Sequence, residues 1–295
     1  MYRDFEEYRK DMIDIIKRKY TLEGEIQSEI QNLDFYFSAF PTEQTNIMYE
    51  PSLCVILQGN KAVGFGEQTL GYNTKEYLLS STNLPATMKI VEASQTSPYV
   101  SLRVKFSLEE IYELLKQIDP PKFKLDKNAQ QGLFFGEMNI ELYDSLYRLL
   151  KLLERPKEDI EFLYPLLIKE ILYNLVKSEG GYFLTKFSME GTISNKIVKV
   201  ISEIKNNFNE KLNVKELALS IDMSESSLYQ HFKTITTMSP IQFQKKLRLE
   251  EAKKLLLLRN IEVSEIAFKV GYESPSQFSR EFSRMFGVSP KEFMK

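Results

Sequence analysis

The 295-residue sequence holds one cysteine, Cys54, and one histidine, His231. A single cysteine excludes an intramolecular disulfide and a cysteine-based zinc site, and a single histidine excludes a multi-histidine metal centre. Any Ser-His-Asp triad would have to form around His231, which lies on a helix within a repeat described below. Long apolar runs are also missing. "LLLL" at 255–258 and "YPLLIKEILYNLV" at 164–176 fall short of the roughly 20 residues a membrane span needs, or are interrupted by charge. The first residues, "MYRDFEEYRKDMIDIIKRKY", mix acids and bases in an amphipathic helical pattern. No apolar core of a secretory signal stands there, so the expected location is cytoplasmic, with no membrane partner.

What is present is an ordinary globular composition, 43% hydrophobic and 27% charged, on a chain long enough for two domains. The net charge of −2 conceals an asymmetry. Residues 1–195 hold 22 Lys+Arg against 29 Asp+Glu, whereas residues 196–295 hold 17 against 12, giving −7 and +5. A basic C-terminal third suits a polyanionic partner, although a plain solvated surface would carry the same charge.

From about Leu33 to Phe106 the pattern is β-rich and punctuated by turns at "QGN", "FGEQ" and "GYN", the spacing of an antiparallel meander or barrel. In "SLCVIL", Cys54 reads as inert packing in a buried strand. Ser107 followed by Glu110 predicts a capping box opening a helix. "NIELYDSLYRLLKLLERP" then sets Leu142, Leu146, Leu149, Leu150 and Leu153 on one stripe, and "DIEFLYPLLIKEILYNLVKSEGG" predicts a second amphipathic helix. These two helices either cover the barrel or pair with a second subunit. Residues 182–192 read as an irregular linker, and everything from 193 onward reads helical.

The C-terminal part contains one pattern twice. "IDMSESSLYQHFKTITTMSP" and "VGYESPSQFSREFSRMFGVSP" align at a spacing of 50, with Ser224 on Ser274, Leu228 on Phe278, Phe232 on Phe282, and Ser239-Pro240 on Ser289-Pro290. Each copy predicts helix, tight turn, helix, at about 214–235 and 263–286. Ser224 and Ser274 are the expected N-caps, with Pro275 at the first helical position and Gly271 in the turn. At 100° per residue, Leu228, Phe232 and Ile235 fall within about 60° of one another and face inward. Opposite them stand Ser226, Tyr229, Gln230 and Lys233. In the second copy Phe278, Phe282 and Met285 face inward, and Ser276, Ser279, Arg280 and Ser283 outward. Small side chains beside hydrogen-bonding and cationic ones are what a helix needs to approach base edges and phosphates in a major groove. The continuous helix expected between the copies, "PIQFQKKLRLEEAKKLLLL", would space two such readers along one duplex.

These stretches, with "VGYESPSQFSREF" and "FGVSP" foremost, resemble the DNA-binding domain of the AraC/XylS family of bacterial transcription regulators, over about Ser194 to Lys295. "YEPSLCVILQGNK", "YLLSSTNLPA" and "VEASQTSPYVSLRV" are similar to the cupin-like N-terminal domain of one subgroup. The resemblance implies an α+β protein: a cupin-like β-barrel with flanking helices over 1–181, a linker at 182–192, and an all-α DNA-binding domain over 193–295. Base-reading positions carried over are Ser226, Tyr229 and Gln230 in the first recognition helix and Ser276, Gln277, Ser279 and Arg280 in the second. Gln230 stands where a basic residue is often found. A small-molecule effector bound by the barrel, a homodimer, double-stranded DNA across two successive major grooves and RNA polymerase are the partners implied. An activator is implied rather than a repressor, without a cofactor. Two other readings stay open: a barrel that serves only dimerisation, and a metal-free isomerase using Glu67, Glu76 or Glu92.

Overall fold

The computed structural model describes residues 4–21, 24–118, 131–258 and 261–294. It divides into two compact units, Met1–Asn195 and Lys196–Lys295.

Strands of the first unit are β1 (Gly24–Gln27), β2 (Leu33–Ser38), β3 (Thr45–Tyr49), β4 (Ser52–Gln58), β5 (Asn60–Phe65), β6 (Gln68–Tyr72), β7 (Glu76–Ser80), β8 (Leu84–Glu92), β9 (Tyr99–Lys105) and β10 (Leu133–Glu137). They form two antiparallel sheets, one ordered β1-β2-β9-β4-β7-β10 and the other β3-β8-β5-β6. The expected barrel is thus an open double sheet: among the described residues no strand pairing closes one sheet onto the other. The inner faces meet in a core that takes Cys54, Ile56, Leu78 and Tyr99 from the larger sheet and Tyr49, Val63, Tyr72 and Ile90 from the smaller. Cys54 is buried on β4, as its apolar run implied. β10 extends the sheet beyond the stretch read as β-rich, pairing Leu133 with Ser80 and Phe135 with Leu78.

Helices α1 (Phe5–Lys19), α2 (Leu108–Leu115), α3 (Ile140–Lys151), α4 (Lys157–Lys177) and α5 (Gly181–Ser188) complete this unit. The capping box of Ser107 and Glu110 forms as the sequence predicts. The leucine stripe of α3 is wholly internal, with Leu142, Leu146, Leu149 and Leu150 all buried. α4 behaves differently. Phe162, Leu166 and Tyr173 are 75%, 58% and 40% exposed, and at 100° per residue they lie within about 40° of one another. No described helix is long and apolar enough to cross a membrane.

Residues 182–192, expected to be irregular, carry most of α5, whose Phe183, Leu184 and Phe187 are fully buried. α4 does end just before the glycine pair, at Lys177, but the chain resumes a helix at once at Gly181. A Cβ on Gly180 would come 2.7 Å from Leu79 Cδ1 and 2.9 Å from the Tyr77 hydroxyl, so glycine is there for close approach rather than for chain flexibility.

The second unit is all helical: α6 (Ile193–Asn206), α7 (Val214–Ser220), α8 (Glu225–Thr236), α9 (Pro240–Leu257), α10 (Val263–Lys269), α11 (Pro275–Phe286) and α12 (Pro290–Phe293). The division between units falls inside α6, whose Ile197, Val200, Ile201 and Ile204 are buried.

Candidate nucleic-acid interface

The two helix-turn-helix units, α7–α8 and α10–α11, reproduce each other bond by bond. Met223 N–H donates to Ala218 O and Tyr272 N–H to Ala267 O, both at 2.9 Å. The turn residue before each donor has positive φ, Asp222 at 53° and Gly271 at 92°. The register shift between copies, from 49 to 50, falls after this turn, at Glu273. Ser224 then caps α8 by accepting from Ser227 N–H, and Ser274 caps α11 by accepting from Gln277 N–H. Each helix ends on a left-handed residue, Thr237 and Gly287. Copy one thus uses Asp and Thr where copy two uses glycine, at a modest conformational cost.

The inward faces are as the periodicity predicts. Leu228, Phe232, Ile235, Phe278 and Phe282 are buried, and Met285 is partly buried against the second unit's core. On the outward side Ser226, Gln230, Lys233, Ser276, Gln277 and Arg280 are exposed, and Tyr229 and Ser279 half-buried. Their commitments differ. The Ser226 hydroxyl is 3.1 Å from that of Ser224, and Gln277 Nε2 donates to Glu281 Oε1 at 3.4 Å. Arg280 and Lys233 make no hydrogen bond or ion pair among the described residues, so both cations are free to meet an anion. His231, on α8, is half-buried, and among the described residues no cluster of His, Cys, Asp and Glu could hold a metal. The carboxylates weighed for an isomerase are dispersed: Glu67 follows the end of β5, Glu92 stands opposite Asn60 at its start, and Glu76 is on β7 of the other sheet.

What ties the two helix-turn-helix units together was not legible in the motif. Arg248, midway along α9, donates from Nε to Phe208 O, from Nη2 to Glu210 O and from Nη1 to Gly271 O, each at 2.7 Å. Gln244 adds a 2.8 Å bond to Glu210 O. One side chain therefore ties the loop leading into α7 to the turn of the second unit. The contact is close enough that a Cβ on Gly271 would stand 2.2 Å from Asn209 O. Glu281 reinforces it, accepting from Tyr272 Oη at 2.8 Å and pairing with Lys245 Nζ at 3.0 Å. Burial pushes the Glu281 carboxyl up, but its hydrogen bonds outweigh burial and leave it below the usual carboxylate value. The halves of α9 serve different units: Phe243 packs edge-on to Phe232, while Leu249, Ala252 and Leu256 join the core of the second.

Comparison with known proteins agrees with both units. Residues 29–183 match the family model described as the AraC-type transcriptional regulator N-terminus, and residues 217–295 match a helix-turn-helix domain. The lactose operon transcription activator of Staphylococcus xylosus is 30% identical over 43% of this chain and 46% of its own length. The raffinose operon regulatory protein RafR of Pediococcus pentosaceus is 31% identical over 57% of this chain and 60% of its own. The chain thus spans about half the length of these curated relatives. Among solved structures, an apo variant of ToxT from Vibrio cholerae aligns over 91% of this chain and 98% of its own, with a TM-score of 0.60 at 11% identity. ToxT with a bound unsaturated fatty acid aligns over 91% and 97%, with a TM-score of 0.55 at 12% identity. At such identities the likeness concerns the fold. With one model covering more than half of its residues and a helix-turn-helix model following it, the chain belongs to the AraC/XylS family of transcriptional regulators.

Proposed function

We propose that the protein is a sequence-specific DNA-binding regulator that lays α8 and α11 in successive major grooves of one duplex and responds to a small molecule held by its N-terminal double sheet. The observation that carries this reading is the pair of matched outward faces, each with an uncommitted cation, on units joined through α9. At 18 residues, α9 is about 27 Å long, of the order of the ~34 Å between major-groove windows on one side of B-DNA. Ser226, Tyr229 and Gln230 on α8, and Ser276, Gln277, Ser279 and Arg280 on α11, address base edges. Lys233, near the end of α8, meets phosphate. Activation, through RNA polymerase, follows from family analogy and from the S. xylosus relative's name. Sensing is supported by relatives named for lactose and raffinose operons and by ToxT's fatty acid. The exposed face of α4 suits a homodimer, and a DNA partner places the protein in the cytoplasm.

The test starts from a site selected out of random-sequence DNA. Arg280→Ala should cost about 1–3 kcal/mol on that site and relax preference at one base pair. Lys233→Ala should weaken all sequences alike and lower the salt slope by about one. If Arg280→Ala binds selected and random DNA as the parent does, α11 is not a reader.

A further inference from the structure

Between the two sheets lies a set of polar groups that the core does not satisfy. Strand β5 alternates, so that Lys61, Val63 and Phe65 point inward. Lys61 pairs across to Tyr72 on β6 and to Ile90 on β8. It is only 9% exposed, and its nitrogen lies 5.8 Å from the centre of the Tyr49 ring. Among the described residues it has no hydrogen bond and no carboxylate partner. The neighbouring cation does: Arg103 is held by Asp34 and Glu25, both at 2.6 Å. The hydroxyls of Tyr49 and Tyr72 are also buried without a partner, and that of Tyr99 has only Ser101 beside it, without a bond of acceptable geometry. Tyr49, Tyr72 and Tyr99 share one buried core cluster with Cys54 and Val63, and Lys61 stands two residues before Val63 on the same inward face of β5.

Proteins seldom bury an unpaired ammonium and orphan hydroxyls together, because each loses its hydration without replacement. Here burial pushes the Lys61 ammonium down and the Tyr49 and Tyr72 phenols well up from their ordinary values. A ligand that brings a negative charge to Lys61 and hydroxyls to the tyrosines would satisfy all of them. Resting on the sensor reading above, we propose that the effector is a small hydroxylated organic anion, of the sugar-acid or sugar-phosphate class, held by Lys61 with Tyr49, Tyr72 and Tyr99. Neither Lys61 nor the tyrosines stood out in the sequence; a lysine alternating with Val63 and Phe65 on an inward strand face was the signal.

The test uses the full chain with galacturonate, gluconate and glucose 6-phosphate, against galactose and lactose as neutral probes. At least one acid should raise the melting temperature while the neutral sugars do not. The carboxylates and the phosphate ester distinguish the two forms of the anion. By calorimetry, Tyr72→Phe should weaken binding roughly tenfold and Lys61→Met by more than that. Without ligand, Lys61→Met should melt at or above the parent's temperature, because the variant no longer buries an unpaired charge. An acid that binds the parent and Lys61→Met equally overturns the inference, as does Lys61→Met melting below the parent, which would mark Lys61 as structural. Neutral sugars that bind parent and variant alike also overturn it, while leaving the sensor reading in place. Binding by neither set overturns the anion class and removes the sensor reading's support as well.

Discussion

Arg248 and Arg280 carry the same guanidinium to opposite ends. Arg248 uses three N–H groups on carbonyls 23, 38 and 40 residues away in sequence, and its guanidinium lies 5.9 Å from the Tyr272 ring centre. Arg280 spends none of its donors within the described protein. The exposure of Arg280 was legible, because a helical wheel places it opposite Phe278 and Phe282. The bonding of Arg248 was not, since main-chain acceptors leave no pattern in side-chain spacing. Lysine cannot reproduce a planar fork spread over three acceptors. Arg248→Lys should therefore lower the stability of the C-terminal unit by about 2 kcal/mol, measured by urea unfolding. In the surviving folded fraction the spacing preference between the two halves of the DNA site should broaden, because the loop before α7 and the turn at Gly271 are no longer held together. An unchanged spacing preference would mean that the core along α9 alone orients the readers.

Elements were legible in proportion to how far their signals are local. The repeated helix-turn-helix, its serine caps and the capping box at Ser107 depend on neighbours three or four residues away, and all formed as read. The strands were visible as a meander, but the order that sets β9 between β2 and β4 depends on long-range pairing that no local pattern encodes. β10 was missed because "LFFGE" is a short apolar run just before a strong helical stretch. α5 was missed because Gly180 answers to Tyr77 and Leu79, which are distant in sequence. The leucine stripe of α3 was legible as a stripe, but its use was ambiguous. The structure assigns it inward, and of the two helices only α4 keeps a large apolar face exposed, at Phe162, Leu166 and Tyr173. Phe162→Glu with Leu166→Glu should leave the fold intact, since both side chains are mostly exposed, and should give a monomer by sedimentation velocity if α4 is the homodimer face. Leu149→Glu should instead unfold the first unit, because it buries a carboxylate. A double variant sedimenting like the parent would remove α4 from the interface.

At the scale of the whole molecule the decisive quantity is how charge divides between the two units, −7 on residues 1–195 and +5 on residues 196–295. A fragment beginning at Thr192 keeps that residue's side chain, which accepts from Asn195 N–H at the start of α6, and keeps the four buried hydrophobic residues of α6. It leaves behind α5, whose Phe183 stacks on Phe134 of β10 within the first unit. Such a fragment should be helical by circular dichroism and should unfold cooperatively, because the core around Phe278, Phe282, Leu249 and Leu256 lies within it. It should also bind random-sequence DNA more tightly than the full chain at low salt, since the acidic unit no longer opposes the approach of a polyanion. The Debye length is about 10 Å at 0.1 M salt and roughly 3 Å at 1 M, so the advantage should shrink steadily as salt is raised. A gain that persisted at high salt would point instead to a direct masking of the readers by the N-terminal unit, and an unfolded fragment would place the domain boundary upstream of Thr192.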